Sequence, residues 1–307
     1  MIEAKNLVRR YGDFAAVDDV SFSIEPGEVV GLLGHNGAGK TTIMKMVTGF
    51  LEPSSGVILV DGVSVQDEPR VAQAAMGYLP ESLPLYPELT VVDYLSYVAQ
   101  LRGLDPQSAV RDAVEATQLQ AKALDTISTL SRGYKQRVGV AQAILHKPKF
   151  LILDEPSNGL DPSQIQQLRE LIRRLAQSAT VILSTHIMQE VDAVCDRAII
   201  LRAGRVAVDE RLSDLQETME LSLKSLPDAD VVGVLSSHKA VANCSAVGVG
   251  HWQVGLHGDV QSSAAEVASA LVAAGLPIYE ITPHSRDLES VFKEINEGQL
   301  AGEQDAA

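Results

Sequence analysis

The chain has 307 residues, which suggests about two domains of ordinary size with room for a buried core. Its 25 Lys and Arg against 40 Asp and Glu give a net charge of −15, which disfavours binding to a nucleic-acid backbone. Every apolar stretch is shorter than the roughly 18 residues that cross a bilayer, and we expect no secretory signal at the start. Cys195 and Cys244 stand apart, which fits a reducing cytosol and excludes a disulfide scaffold or a cysteine zinc site.

The first 210 residues alternate short β-branched runs with amphipathic stretches, a pattern typical of a mostly parallel sheet with crossover helices. The predicted strands are residues 29–33, 57–60, 150–153, 180–184 and 197–201. Between about residues 89 and 145 the apolar spacing changes to 3.6 residues, which predicts a helical insertion. The proline-rich segment 79–90 precedes it and predicts an extended connection without a helix. The predicted fold class of this part is α/β.

The composition changes after about residue 210. The last 97 residues carry 5 Lys and Arg against 14 Asp and Glu, so they hold −9 of the total charge of −15. Their pattern predicts a strand (220–225), a helix (229–237), two strands (240–248 and 252–256), a helix (263–274), a strand (278–282) and a helix (286–295). We therefore expect a small acidic α+β domain over residues 211–297, followed by a disordered tail at 298–307.

The segment GHNGAGKTT, residues 34–42, matches the pattern GxxxxGK[ST] between an apolar strand and a helix. Glycines let successive backbone N–H groups point at phosphate oxygens, and the helix N-terminus adds its positive dipole end. We expect Lys40 to reach the β- and γ-phosphates, Thr41 to ligate Mg²⁺, and Thr42 to lie near the α-phosphate. The remaining predicted nucleotide-binding residues are Gly34, His35, Asn36, Gly37, Ala38 and Gly39. A purely structural glycine turn is the alternative, and the position of the segment between a strand and a helix disfavours it.

The segment FLILDEP, residues 150–156, predicts a buried strand that ends in two carboxylates. Ligands of open α/β sheets bind at the carboxyl ends of strands. We expect Asp154 to hold Mg²⁺ through water and Glu155 to orient or deprotonate an attacking water. A solvated acidic turn is the alternative, and a phosphate loop in the same chain disfavours it. Together the two segments predict a nucleoside triphosphatase.

The segment LSRGYKQR, residues 130–137, is similar to the LSGGQ-type signature of the ATP-binding subunits of ABC (ATP-binding cassette) transporters. The resemblance covers at least residues 1–210 and implies a P-loop NTPase (RecA-like) ABC cassette with a helical subdomain, plus the small α+β domain. It implies that Ser131 and Gly133 contact the γ-phosphate held by the opposite subunit, while Arg132 replaces a glycine and Tyr134 a glutamine. Taken alone, the octapeptide is equally typical of a helix cap.

Further positions match the family in order. Tyr11 resembles the aromatic that stacks on adenine; a lone surface tyrosine is the alternative, and Phe14 is the rival ring. Asp161, in SNGLD, resembles the D-loop aspartate that links two composite sites. His186 resembles the switch histidine, which bonds the γ-phosphate and the attacking water, although a single histidine at a strand end is more often structural. Glu81 stands where the family has the Q-loop glutamine; we hypothesise that it binds Mg²⁺ and senses nucleotide.

The family resemblance also implies partners. Because the signature acts across a subunit boundary, we expect a head-to-tail pair of two copies that hydrolyses ATP and drives a separate integral-membrane permease. The YLPE segment, the LSRGYKQR segment and LESVFKEI (288–295) are most similar to the subset that serves ABC-2-type permeases, including drug-export and gliding-motility ATPases. We expect export and a cytoplasmic protein held at the inner membrane face, with the permease docked near residues 79–90. The alternatives are a non-transport ABC ATPase acting on ribosomes or DNA, and a regulatory protein that binds ATP without useful turnover.

Overall fold

The computed structural model describes residues 1–217, 219–236, 238–257, 260–285, 288–289, 291–292 and 295. The chain divides into two compact units, Met1–Glu210 and Arg211–Ala307. Of the predicted helix at 286–295, residues 288–289, 291–292 and 295 are described and are helical, and the other five fall outside the described residues; the predicted tail at 298–307 falls wholly outside them.

The first unit contains two sheets. Its strands are β1 (Ile2–Tyr11), β2 (Phe14–Ile24), β3 (Val29–Leu33), β4 (Ser55–Val60), β5 (Val63–Ser64), β6 (Met76–Leu79), β7 (Phe150–Asp154), β8 (Thr180–Thr185), β9 (Arg197–Arg202) and β10 (Arg205–Arg211). The larger sheet has the order β10-β9-β3-β8-β7-β6, and its strands β9, β3, β8, β7 and β6 pair in parallel. The smaller sheet has the order β2-β1-β4-β5, with antiparallel pairs. The two sheets share the largest apolar core of the unit.

One strand prediction was wrong in its placement. The segment 57–60, predicted among the parallel strands, belongs to β4 and pairs antiparallel with β1, with Ile2 opposite Val60. The physical difference is burial: β3, β7 and β8 are buried at every position, whereas β4 alternates and leaves Val57 exposed. Continuous burial is typical of a parallel strand covered by helices on both faces, and alternation is typical of an antiparallel one.

The helices of the first unit are α1 (Lys40–Val47), α2 (Pro69–Ala74), α3 (Val91–Leu101), α4 (Pro106–Ala116), α5 (Arg132–Ile144), α6 (Pro162–Ala176) and α7 (Met188–Val194). Helices α3, α4 and α5 pack around their own apolar cluster, which includes Tyr94 and Leu95. Thr90 and Asp105 cap α3 and α4 by accepting a hydrogen bond from the third residue beyond. The segment between β6 and α3 contains no helix, as its prolines predict.

The second unit contains α8 (Leu212–Glu217), β11 (Met219–Lys224), α9 (Val231–Leu235), β12 (Val241–Gly248), β13 (His251–Leu256), α10 (Val260–Ala273) and β14 (Glu280–Ser285). The sheet order is β12-β13-β11-β14, and the pairs are antiparallel. From β11 onward this is the split βαββαβ arrangement. Leu221, Leu223, Trp252 and Val254 point into one apolar cluster with α10 residue Val267.

Candidate ATP site

Three strands of the parallel sheet bring the predicted polar residues to one edge. β7 ends at Asp154, β8 ends at Thr185, and the phosphate loop follows β3. The strands are neighbours, with Asp154 opposite Ser184 and Leu33 opposite Thr185. Since the carboxyl ends of parallel strands meet at the same edge, residues more than 100 positions apart lie side by side.

The phosphate loop approaches other backbone too closely for side chains at two of its glycines. A Cβ at Gly34 would lie 2.8 Å from both the Ala38 Cβ and the Leu201 carbonyl oxygen. Gly39 has φ +106° in the left-handed region, and a Cβ there would lie 2.7 Å from the Ala16 carbonyl oxygen. These contacts fix the loop against its neighbours. His35, Asn36 and Gly37 at its tip are exposed, and Lys40, Thr41 and Thr42 open helix α1.

Lys40 and Glu155 form a buried ion pair at the centre of the site. The Lys40 Nζ donates to the Gly34 carbonyl oxygen at 2.7 Å and lies 3.3 Å from Glu155 Oε1, and both side chains are less than 9% exposed. The other carboxylate oxygen, Oε2, lies 2.8 Å from His186 Nδ1. Because a buried charge is costly without a partner, Lys40 and Glu155 stabilise each other, and Glu155 also holds the more exposed His186 through its second oxygen.

The backbone of Glu155 is itself constrained. Its φ of +47° lies in the left-handed region, which costs a non-glycine residue free energy unless the surroundings hold it there. The Glu155 N–H donates to the Ser184 Oγ at 2.9 Å and lies 3.1 Å from the Ser184 carbonyl oxygen. The end of β8 thus fixes the turn that aims the carboxylate toward Lys40 and His186.

Asp154 is fully buried, and its two carboxylate oxygens differ in their hydrogen bonds. Its Oδ1 accepts from the Ser184 Oγ at 2.5 Å and from the Thr41 Oγ1 at 3.2 Å. Its Oδ2 is buried and has no hydrogen-bond partner among the described residues. Burial raises the pKa of the Asp154 carboxyl, and the hydrogen bonds from Ser184 and Thr41 oppose that shift. A carboxylate with a free oxygen beside a hydroxyl is a donor set that suits Mg²⁺.

A cavity of about 630 Å³ lies over these groups. Its lining residues are Tyr11, Phe14, Ala16, Asn36, Gly37, Gly39, Lys40, Thr41, Thr42, Glu81, Glu155, Asn158 and His186. Both candidate aromatic rings border it, and the Arg9 guanidinium lies 4.8 Å from the centre of the Tyr11 ring. Glu81 reaches the same cavity from the loop after β6, where its Oε1 lies 3.5 Å from the Asn158 Nδ2. Its charge adds to the burial that raises the pKa of Asp154.

The signature residues lie in a second cavity, of about 230 Å³, which Ser131 and Gly133 line together with Gln164 of α6. Ser131 caps α5, and its Oγ accepts from the Tyr134 N–H at 3.4 Å, which matches the helix-cap interpretation. Asp161 caps α6 in a capping box with Gln164. Within one chain, therefore, Ser131 and Gly133 line a different cavity from the phosphate loop.

Three residues that shape these sites have no role in the predictions from sequence: Ser184, Asn158 and Gln164. Ser184 and Asn158 lie inside segments that the sequence already singled out, but their contacts depend on strand register and loop path. The signal for Gln164 was present in the sequence as Asp161 followed three residues later by glutamine, the pattern of a capping box.

Comparison with known proteins decides the family. A model of the family "ABC transporter" matches residues 17–158. The chain is 32% identical to the uncharacterized ABC transporter ATP-binding protein YdbJ of Bacillus subtilis (strain 168), over 95% of this chain and 94% of that protein. The chain belongs to the ABC transporter ATP-binding proteins. It is also 37% identical to the Nod factor export ATP-binding protein I of Rhizobium etli, over 70% of this chain and 69% of that protein.

A solved structure, described as the ATP binding subunit of an ABC transporter, is 34% identical with a TM-score of 0.64, over 70% of this chain and 92% of that one. The P-loop NTPase fold, ATP binding and ATPase activity predicted from the sequence are thereby confirmed. The chain is the ATP-binding subunit of an ABC transporter; such subunits dimerise and work with membrane permeases. Among the described residues, no helix is both long and apolar enough to cross a membrane.

Proposed function

We propose that two copies of this chain bind ATP head to tail at composite sites and drive an ABC-2-type permease for export. The observation that carries this proposal is the convergence of Lys40, Thr41, Asp154, Glu155 and His186 at one sheet edge, while Ser131 and Gly133 line a separate cavity. Within one chain the phosphate loop has no signature residues beside it. A second copy related by a twofold axis can place its Ser131 and Gly133 against the phosphate loop of the first, and the reverse.

In this proposal Lys40 changes partners when ATP binds. The γ-phosphate competes with Glu155 for the Lys40 ammonium, which now lies 3.3 Å from the carboxylate. The released Glu155 oxygen then accepts a hydrogen bond from the attacking water and takes its proton. His186 lies 2.8 Å from the other oxygen and donates to the γ-phosphate from the opposite side of its ring. The backbone N–H groups of residues 34–39 bind the remaining phosphate oxygens.

Thr41 and Asp154 would hold Mg²⁺, with the unpartnered Asp154 Oδ2 as the free oxygen and Glu81 at the rim of the cavity. Bound there, Mg²⁺ would neutralise charge on the β- and γ-phosphates. Glu81 would sense the nucleotide, because its carboxylate would gain a counter-charge only with Mg²⁺ and ATP bound. If Glu81→Gln left both ATP hydrolysis and its stimulation by the permease unchanged, this role would be wrong.

The second copy contributes Ser131, Gly133 and the N-terminus of α5 to the γ-phosphate, and Asp161 links the two sites. Tyr11, with Phe14 as the alternative ring, stacks on adenine at the cavity rim. The export assignment is supported by the likeness to a relative named for Nod factor export and by the YLPE and LSRGYKQR variants. The permease would dock beside the loop of residues 79–90 and hold the chain at the inner membrane face.

An ATPase assay tests this function. The purified chain with Mg²⁺ is measured alone and after reconstitution into vesicles with a candidate permease, a neighbouring gene product with about six apolar stretches of ~20 residues. We expect slow hydrolysis that rises with the permease. Hydrolysis that responds to ribosomes or DNA but not to the permease would contradict the proposal, and so would ATP binding without turnover in every condition.

A further inference from the structure

The two edges of the sheet in the second unit differ in character. β12 forms one edge and β14 the other. β14 contains Glu280 and Pro283, and proline has no backbone N–H to donate; charge and proline both discourage the addition of another strand. β12 reads VANCSAVG, without a charged residue or a proline over its length. Charge and proline therefore protect the β14 edge, whereas the β12 edge carries neither and is interrupted only by irregular register near its two ends.

The free side of β12 is open. Within the described residues β12 pairs with β13 alone, and Ala242, Asn243 and Ser245–Gly248 are exposed. Irregular register occurs between Val241 and Asn243 and between Ala246 and Gly248, so the stretch Asn243–Ala246 keeps regular pairing. On the side away from β13, this stretch presents backbone N–H and C=O groups in the spacing that another strand needs.

We propose that β12 pairs antiparallel with β12 of a second copy of this chain, so that two four-stranded sheets join into one. The residues after 210 hold −9 of the total charge of −15, so a second copy approaches this unit against a net repulsion. β12 is a neutral surface at which two copies meet without like charges. An antiparallel strand is its own partner under a twofold axis, and the cassettes of this family already bring two copies together. This contact goes beyond the proposed function because it needs no nucleotide.

The sheet register identifies the residue to test. Ser245 lies opposite Gln253 on the face away from the apolar cluster, whereas Cys244 packs against that cluster. In the joined sheet the helices of both copies lie on the same side. Each β12 residue of one copy is then opposite a β12 residue of the other copy whose side chain is on the same face. The axis of a centred pair then passes through Cys244 or Ser245. In either register the two Ser245 side chains lie within about 8 Å of each other.

The experiment is analytical ultracentrifugation of the full chain in EDTA without nucleotide. We expect wild type to dimerise at micromolar concentrations and Ser245→Glu to weaken the dimer at least about tenfold, because two carboxylates then meet at the seam. Ser222→Glu is the matched control: the same substitution on the same sheet face, on the central strand β11. An equimolar mixture of Ser245→Glu and Ser245→Lys chains should dimerise again, since the facing charges then attract.

Three results would overturn the proposal: a wild-type monomer in EDTA, equal weakening by Ser245→Glu and Ser222→Glu, or a mixture that stays monomeric. Hydrogen exchange covers the case in which the variants fail to fold. In wild type, amide protection at residues 243–246 should rise with protein concentration, and constant protection would refute the pairing. ATPase activity is measured separately, so a failure of the proposed transport function leaves this result unaffected, and the reverse also holds.

Discussion

Ser184 supports both carboxylates of the ATP site, which makes Ser184→Ala a test of how the site is built. Its Oγ donates to Asp154 at 2.5 Å and accepts from the Glu155 N–H at 2.9 Å, in a position with no solvent exposure. The Glu155 N–H keeps the Ser184 carbonyl oxygen at 3.1 Å as a second acceptor, so the main loss is the hydrogen bond to the carboxylate. A hydrogen bond to a charged group contributes about 1.5–3 kcal/mol.

We therefore expect Ser184→Ala to lower the free energy of unfolding by about 2 kcal/mol, or the thermal midpoint of the first unit by about 4–8 °C. The same bond lowers the pKa of Asp154, so the variant should raise that pKa further and make protons compete better with Mg²⁺. The Mg²⁺ concentration for half-maximal ATPase should rise, and it should rise more at pH 6 than at pH 8.

Scanning calorimetry and Mg²⁺ titrations of ATPase activity measure the two effects. Ser178→Ala is the control: it removes an exposed hydroxyl that donates to the Leu175 carbonyl oxygen, so this substitution should change neither quantity. A Ser184→Ala protein whose midpoint stays within about 1 °C of wild type, with the same Mg²⁺ requirement, would show that Ser184 does not stabilise the two carboxylates.

Two further predictions concern buried titratable groups. Asp154→Asn removes a carboxylate whose pKa burial raises, so its thermal midpoint in EDTA should equal or exceed that of wild type while Mg²⁺-dependent ATPase falls at least about a hundredfold; a clearly lower midpoint would contradict this. Burial, aided by the Arg102 charge, lowers the pKa of His146, so stability should be lost as the pH falls below about 6.5, by at most about 1.4 kcal/mol per pH unit. His146→Gln should flatten that slope in urea unfolding between pH 7.5 and 5.5, and an unchanged slope would show that other groups cause it.

Local patterns predicted much of the fold and of the site. The phosphate loop and the strand that ends in Asp154 and Glu155 are contiguous segments, and each carries its own signal in spacing and in residue type. Their meeting depends on strand order, which no segment contains: Ser184 reaches Asp154 only because β8 lies beside β7 in that register. The prediction for residues 57–60 was wrong for a related reason: a β-branched run indicates a strand but not the sheet to which that strand belongs.

Other parts of the site depend on backbone path. Gly39, at the start of α1, lies close to the Ala16 carbonyl oxygen of β2. This contact could not be predicted, because β2 was not among the predicted strands. The left-handed φ of Glu155 could not be predicted from the sequence either, because glutamate does not favour that conformation and tertiary hydrogen bonds impose it. The side-chain types predict the chemistry, and long-range packing supplies the geometry.

In the proposed dimer, the phosphate loop of one chain and Ser131 of another bind one ATP together. The test uses the double variant Glu155→Gln, Ser245→Glu: the first substitution slows hydrolysis, and the second prevents pairing through β12. Sedimentation then measures the oligomeric state with and without ATP and Mg²⁺. We expect a shift from the 32.8 kDa monomer to a stable dimer, and we expect the dimer to be lost when Ser131→Arg is added. A protein that stays monomeric with ATP, or a dimer that survives Ser131→Arg, would contradict the composite site.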